Sequence, residues 1–276
     1  MAIEIFAHHC HVFPAEVNPN GTIDRLLKLM DECGIGGGVC FAPFLYQIKR
    51  AGLDFNPNDW LARELKQYPN LRGFGTVDIK SPDVKDQVKH VVDLGFKGIK
   101  LHPNAQEFDI VSREAFAVYE AAQKHNVFVT FHSGVHHYRI KEYNVLSFDE
   151  VAHHFPDLRF SMEHVGGYHF FPQALAVIVN NIPFPPVPGR RCMVFAGLTS
   201  VFTQDYNRFW YLSKDRLIEL VAQAGVEQCI FGLDFPYNLE PGTKKGLQTL
   251  QEIGLTEEQQ ALILGGNLRR ELGMLG

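Results

Sequence analysis

Three observations predict an α/β protein folded as a (β/α)8 TIM-type barrel. Short apolar runs recur about every thirty residues, helical patterns fill most of the gaps, and no break in composition divides the chain. Strands are expected at Ile3–Ala7, Gly37–Ala42, Arg72–Val77, Gly98–Leu101, Val127–Phe131, Leu158–Met162, Met193–Gly197 and Gln228–Leu233. Alternation alone does not prove closure, so a doubly wound open sheet is the runner-up. With no linker or internal repeat, residues 1–276 read as one barrel domain.

The helices follow from their start and stop signals. Thr22–Cys33 begins at a candidate Thr N-cap and stops at Gly34. Pro57–Tyr68 and Pro82–Leu94 open on proline, and Arg113–His125 has Ser112 as its expected cap. Ser147–His154, Gln173–Val179, Lys214–Ala224 and Lys244–Ile253 come next, and Glu257–Leu272 closes the chain. Two connections are long, Pro43–Asn56 and Gly166–Arg191, the second containing the proline-rich run Ile182–Gly189. Both are expected on the barrel face that carries active sites, as lids.

Composition narrows the function. The chain has 276 residues, 46% of them apolar, enough for a large core. Its 26 basic and 31 acidic side chains leave a formal charge of −5 with no basic run, which disfavours nucleic acid or an anionic membrane as partner. No apolar stretch approaches the ~20 residues of a membrane span. The start Met1-Ala2-Ile3-Glu4 lacks the pattern of a secretory signal. Five scattered cysteines without a CxxC pair fit free thiols in a cytoplasmic protein. Neither a GxSxG elbow, a phosphate loop nor a dinucleotide fingerprint is present.

Polar residues stand where the apolar runs stop. His9 and His11 close the first run, and residues two apart on a strand share a side. An HxH pair by itself is equally a solvated histidine-rich segment. Other runs end in Lys100 and His102, in His132, in His164 and in Asp234. In a barrel these ends share one mouth, and a buried cluster of imidazoles with a carboxylate is costly unless a metal or a paired network satisfies it. The joint pattern therefore points to a divalent metal site.

The segments His9-Cys10-His11, Gly95–Pro103, Glu163–Gly167 and Phe231–Pro236 resemble the amidohydrolase superfamily, nearest its amidohydrolase-related (amidohydrolase 2) branch, which includes aminocarboxymuconate-semialdehyde decarboxylase. The tail Ile263–Leu272 is similar to that group's closing helix, so the likeness runs nearly end to end. The resemblance implies one divalent ion, Zn2+ ahead of Mn2+, held by His9, His11, His132 and Asp234. It implies His164 as the group that stabilises developing charge, and Asp234 as the handler of the water's proton. It also suggests a homodimer. One departure is Ala7, where the family usually has Asp two residues before the first ligand, which puts the support of that ligand in doubt. Lys100 matches the lysine that bridges two metals in some relatives; its simpler reading is a charge pairing with Asp or substrate.

The function expected from this resemblance is hydrolysis of a small organic amide, ester or lactone by metal-bound hydroxide. The alternative is non-oxidative, metal-dependent decarboxylation of an aromatic or muconate-like carboxylic acid. A barrel that keeps its ligands only to bind or regulate is a third reading, disfavoured by the intact Asp234 and His164 pair. Lys49, Arg50, His136, His137, Tyr138, Arg139, Tyr168, Arg190, Arg191 and Tyr237 are candidate mouth residues, His153 and His154 are expected on the surface, and Cys10 is expected to turn away from the ligands.

Overall fold

The computed structural model describes residues 3–275; Met1 and Ala2, the first residues of the segment read for a secretory signal, lie outside it. Strands β1 (Ile5–His11), β2 (Ile35–Phe41), β3 (Leu71–Thr76), β4 (Gly98–Leu101), β5 (Phe128–His132), β6 (Phe160–Glu163), β7 (Val194–Thr199) and β8 (Cys229–Phe235) pair in sequence order, all parallel. Closure of β8 onto β1 makes the sheet a barrel, which rules out the open-sheet runner-up.

Strand alternation sorts the side chains into two cores. Ala7, Cys10, Val129, Phe131, Met162 and Leu233 face outward and join the apolar layer under the helices. Phe6, Val39, Phe41, Phe74, Phe128, Phe195 and Ile230 face inward and fill the barrel, together with Leu268 and Leu272 from the C-terminal segment. Cys10 thus turns away from His9 and His11, as expected.

Most helices stand where their signals placed them. Gly34 ends helix Ile23–Cys33 in the left-handed conformation (φ 68°), and the Ser112 hydroxyl accepts the Ala115 amide at the start of helix Arg113–Lys124. The closing helix is broken into Glu257–Ala261 and Asn267–Glu271, because Gly265 (φ 157°) lays the backbone against Phe6. The second piece closes the bottom of the barrel. Asn267 donates to the Val226 and Cys229 carbonyls, and the buried Glu271 carboxylate receives two hydrogen bonds from Arg191 at 2.9 and 2.7 Å.

That ion pair corrects the placement of one long connection. Helix Gly167–Asn180 follows β6 directly and carries the chain back along the barrel. The proline-rich run and Arg190 and Arg191 therefore lead into the start of β7, at the end opposite the strand termini, and form no lid over them. The other connection does lie at the mouth, folded into helix Leu45–Arg50 and tied to β3 by the Thr76 hydroxyl, which donates to the Pro43 carbonyl. Among the described residues no helix is long and apolar enough to cross a membrane.

Candidate metal centre

The first strand does more than alternate. His9 has φ 65°, and the β1 ladder slips by one residue between Ala7 and Cys10 against β2. Its ladder with β8 slips in the complementary sense, three steps along β8 (Gly232 to Phe235) facing two steps along β1 (His8 to Cys10). A bulge re-aims one side chain without changing the rest of the strand. Here it turns His8 and His9, neighbours in sequence, both into the barrel, while His11 follows on the same side. Asp234 (φ 59°) occupies the facing irregularity on β8.

The side chains of His9, His11 and Asp234 converge. His9 Nε2 lies 3.1 Å from His11 Nε2 and 3.4 Å from Asp234 Oδ1, and His11 Nε2 lies 4.0 Å from the same oxygen. Two imidazole nitrogens bound tetrahedrally to one ion at about 2.0–2.1 Å would stand roughly 3.3 Å apart, so this spacing fits one divalent ion. The protonation states fit as well. Burial, with the Lys100 charge close by, holds both imidazoles well below their ordinary pKa and keeps them neutral. Asp234 Oδ2 accepts a hydrogen bond from Ser200 Oγ at 2.7 Å, which fixes the carboxylate plane and leaves Oδ1 toward the histidines.

The other expected residues ring the same mouth. His132 belongs to no such convergence: its Nε2 lies 2.9 Å from the Gly134 carbonyl, and its ring stacks on His102 with centroids 4.0 Å apart. His164 donates from Nδ1 to the Thr199 carbonyl at 2.7 Å, which makes Nε2 its basic nitrogen. Its ring lies flat on Trp210 (4.3 Å, 21°) and 4.7 Å from the His132 ring. His164 and Val165 both have positive φ, costly for a β-branched residue, so the packing around this turn holds it against its own preference. Lys100 is fully buried, with Nζ 3.4 Å from His9 Nε2; burial brings it down to about 8 despite the pull of Glu163 and Asp234. His136 edges onto His102, and Tyr237 lies across His11. Lys49 and Arg50 are exposed beside a broad groove of about 1220 Å³ that the strand-end histidines do not line. His153 and His154 are exposed on their helix.

Sequence reasoning missed three members of this site. His8 and Glu163 lie beneath His9, and Trp210 backs His164. The signal for Glu163 was present, a lone acid within an apolar run. Trp210 sits in an irregular segment, where no periodicity points inward.

The fold has solved counterparts. A 2,6-dihydroxybenzoate decarboxylase from Rhizobium superposes with a TM-score of 0.74 at 17% identity, covering 100% of both chains. A dihydroxybenzoic acid decarboxylase from Polaromonas, solved with bound manganese and the inhibitor 2-nitroresorcinol, gives 0.71 at 16% identity over 99% of this chain and 98% of that one. A protein from Pseudomonas putida described as a 2-pyrone-4,6-dicarboxylic acid hydrolase gives 0.69 at 17% identity over 100% of both. These likenesses concern the fold. The sequence itself matches the model of the amidohydrolase family, amidohydrolase 2, from residue 8 to residue 273, and the protein belongs to that family of enzymes.

Proposed function

We propose that the protein is a metal-dependent hydrolase of a small organic amide, ester or lactone. The observation that supports it is the convergence of two neutral imidazoles and one anchored carboxylate, His9, His11 and Asp234, at the mouth of a closed barrel. This nitrogen and oxygen donor set suits one Zn2+ ion, with Mn2+ second. His132, at the end of β5, would complete the set. An ion held there supplies Lewis acidity and brings the pKa of water toward neutrality.

The chain's own groups handle the protons. Asp234, held by Ser200 at one oxygen, takes the proton of the attacking water at the other. His164, its Nδ1 proton committed to Thr199 and its pKa lowered by burial, presents a basic Nε2. Once Nε2 has received the proton that Asp234 takes from the water, it stabilises negative charge on the substrate's carbonyl oxygen. Trp210 holds that ring in place.

Non-oxidative decarboxylation is the second reading. It is favoured by the flat surfaces at the mouth, where the His164–Trp210 and His132–His102 stacks suit an unsaturated planar acid. Isotope labelling separates the two. Turnover in 18O water places one 18O in the product carboxyl if the reaction is hydrolysis. Release of CO2 with no 18O entering the remaining product overturns it in favour of decarboxylation. Elemental analysis showing no ion after incubation with zinc or manganese would sink both.

A further inference from the structure

Beneath His9 lies a carboxylate to which neither reading gives a part. Glu163, the last residue of β6, is fully buried. Its Oε2 accepts hydrogen bonds from His9 Nδ1 at 2.7 Å and from Thr199 Oγ1 at 2.6 Å. Its Oε1 accepts one from Ser161 Oγ at 2.6 Å. His8 Nδ1 stands 3.2 Å from Oε1, too misaligned for a hydrogen bond. The Thr130 hydroxyl, 3.1 Å from His8 Nε2, anchors that ring from its other side.

Room for this carboxylate is built into the neighbouring strand. Gly197 pairs with Glu163 across the β6–β7 ladder, and a Cβ on Gly197 would fall 2.4 Å from the carboxylate carbon. An ionised group in a barrel interior costs several kcal/mol unless its oxygens are satisfied. Three residues on three strands satisfy this one, His9, Ser161 and Thr199, and a glycine on one of those strands leaves it space. A simple apolar filling would stabilise the barrel at lower cost, so the arrangement points to a task.

The task is visible in His9. An imidazole that donates from Nδ1 to a carboxylate has its Nε2 lone pair free, and its ring is locked in direction. Ala7, two residues before His9, faces the outer apolar layer and reaches no ligand. We infer that Glu163 is the positioning residue of the centre: anchored by Ser161 and Thr199, it fixes the tautomer and aim of His9 so that Nε2 faces the ion. The same strand end thus supplies two functions in succession, the support for His9 and then His164 itself. This inference rests on the metal reading above, but it concerns the ligand's preparation before any ion arrives.

The test uses the full-length protein. In the metal-free state, 15N NMR of its histidines should show His9 protonated at Nδ1 and unprotonated at Nε2; the opposite tautomer in the wild type overturns the inference without any variant. Zinc and manganese affinities are then measured by chelator competition. Glu163→Gln keeps the shape and removes the charge, and should weaken binding about 10- to 100-fold with a mixed His9 tautomer. Thr199→Ser, which keeps the hydroxyl, should retain wild-type affinity, whereas Gly197→Ala should weaken binding by displacing the carboxylate. A Glu163→Gln protein with lowered melting temperature but unchanged affinity and tautomer makes the residue structural and overturns the inference. Failure of the wild type to bind any ion strikes the metal reading instead, while the wild-type tautomer still decides the role of Glu163.

Discussion

The two halves of the barrel interior are built from the same strands by opposite chemistry. Toward the strand starts, Phe6, Phe128, Phe195 and Ile230 pack with Leu268 into an apolar plug. Toward the strand ends, His9, His11, Lys100, His132, Glu163 and Asp234 are nearly as buried, yet titratable. Each large side chain of the plug contributes roughly 1.5–3 kcal/mol by leaving water. The upper groups oppose folding unless paired. The lower half therefore stabilises a scaffold on which the upper half can be arranged for chemistry. His9, His164, Ser200 and Asp234, all with positive φ, belong to the upper half, so backbone strain concentrates there too.

The sharpest way to break this division is at the ligands. Asp234→Asn and His9→Ala should each lower kcat/KM by about a thousandfold or more and reduce bound metal, with melting temperature unchanged or raised. Full metal content in both variants would show that the ion sits elsewhere. The complementary change is Phe128→Ala, expected to cost about 3–5 kcal/mol in denaturant unfolding while leaving metal stoichiometry and kcat of the folded protein intact. Loss of metal in that variant would mean that the halves are coupled.

Acid should act through the upper half first. His9, His11 and His132 are held neutral when folded, by burial above all, so below about pH 6.5 the unfolded chain binds more protons than the native one. Their contribution is complete above that pH and is lost as the pH falls toward their lowered native values. Melting temperatures of the metal-free protein should thus decline from pH 7 to 5, and a flat profile would contradict the neutral cluster. The smallest effect is expected from Cys10→Ala. Although it lies between two ligands in sequence, it faces the outer layer, so stability should change by about 1 kcal/mol or less and metal affinity not at all.

The contrast between halves also explains what could be read from the sequence. Apolar runs and their spacing report burial and alternation, so the eight strands, the outward Cys10 and the mouth location of His164 and Asp234 were legible. The convergence of His8 with His9 was not, because strict alternation puts adjacent residues on opposite faces and only the left-handed backbone at His9 reverses that. Glu163 was visible as a lone acid in an apolar run, but its role was not, because that role depends on a register that brings Gly197 opposite it. His132 shows the limit in the other direction, since its strand end was foreseen but its hydrogen bond to Gly134 was not. Connection length was misread where helix Gly167–Asn180 follows β6 directly, placing the proline-rich run at the far end.

The C-terminal plug has a consequence for how the chain reaches this state. Leu268 packs with Phe6, and Arg269 donates to Glu4 at 2.7 Å, so contacts that seal the barrel floor join residues about as far apart in sequence as the chain allows. During synthesis, β1 emerges first but meets β8 only after residue 235 has left the ribosome. Until then the growing sheet carries an open edge at β1, with its histidine-bearing bulge still unmatched, in the setting where unpaired strands meet other nascent chains. The His9, His11 and Asp234 cluster cannot assemble until β8 has been made, because its members are divided between the first strand and the eighth.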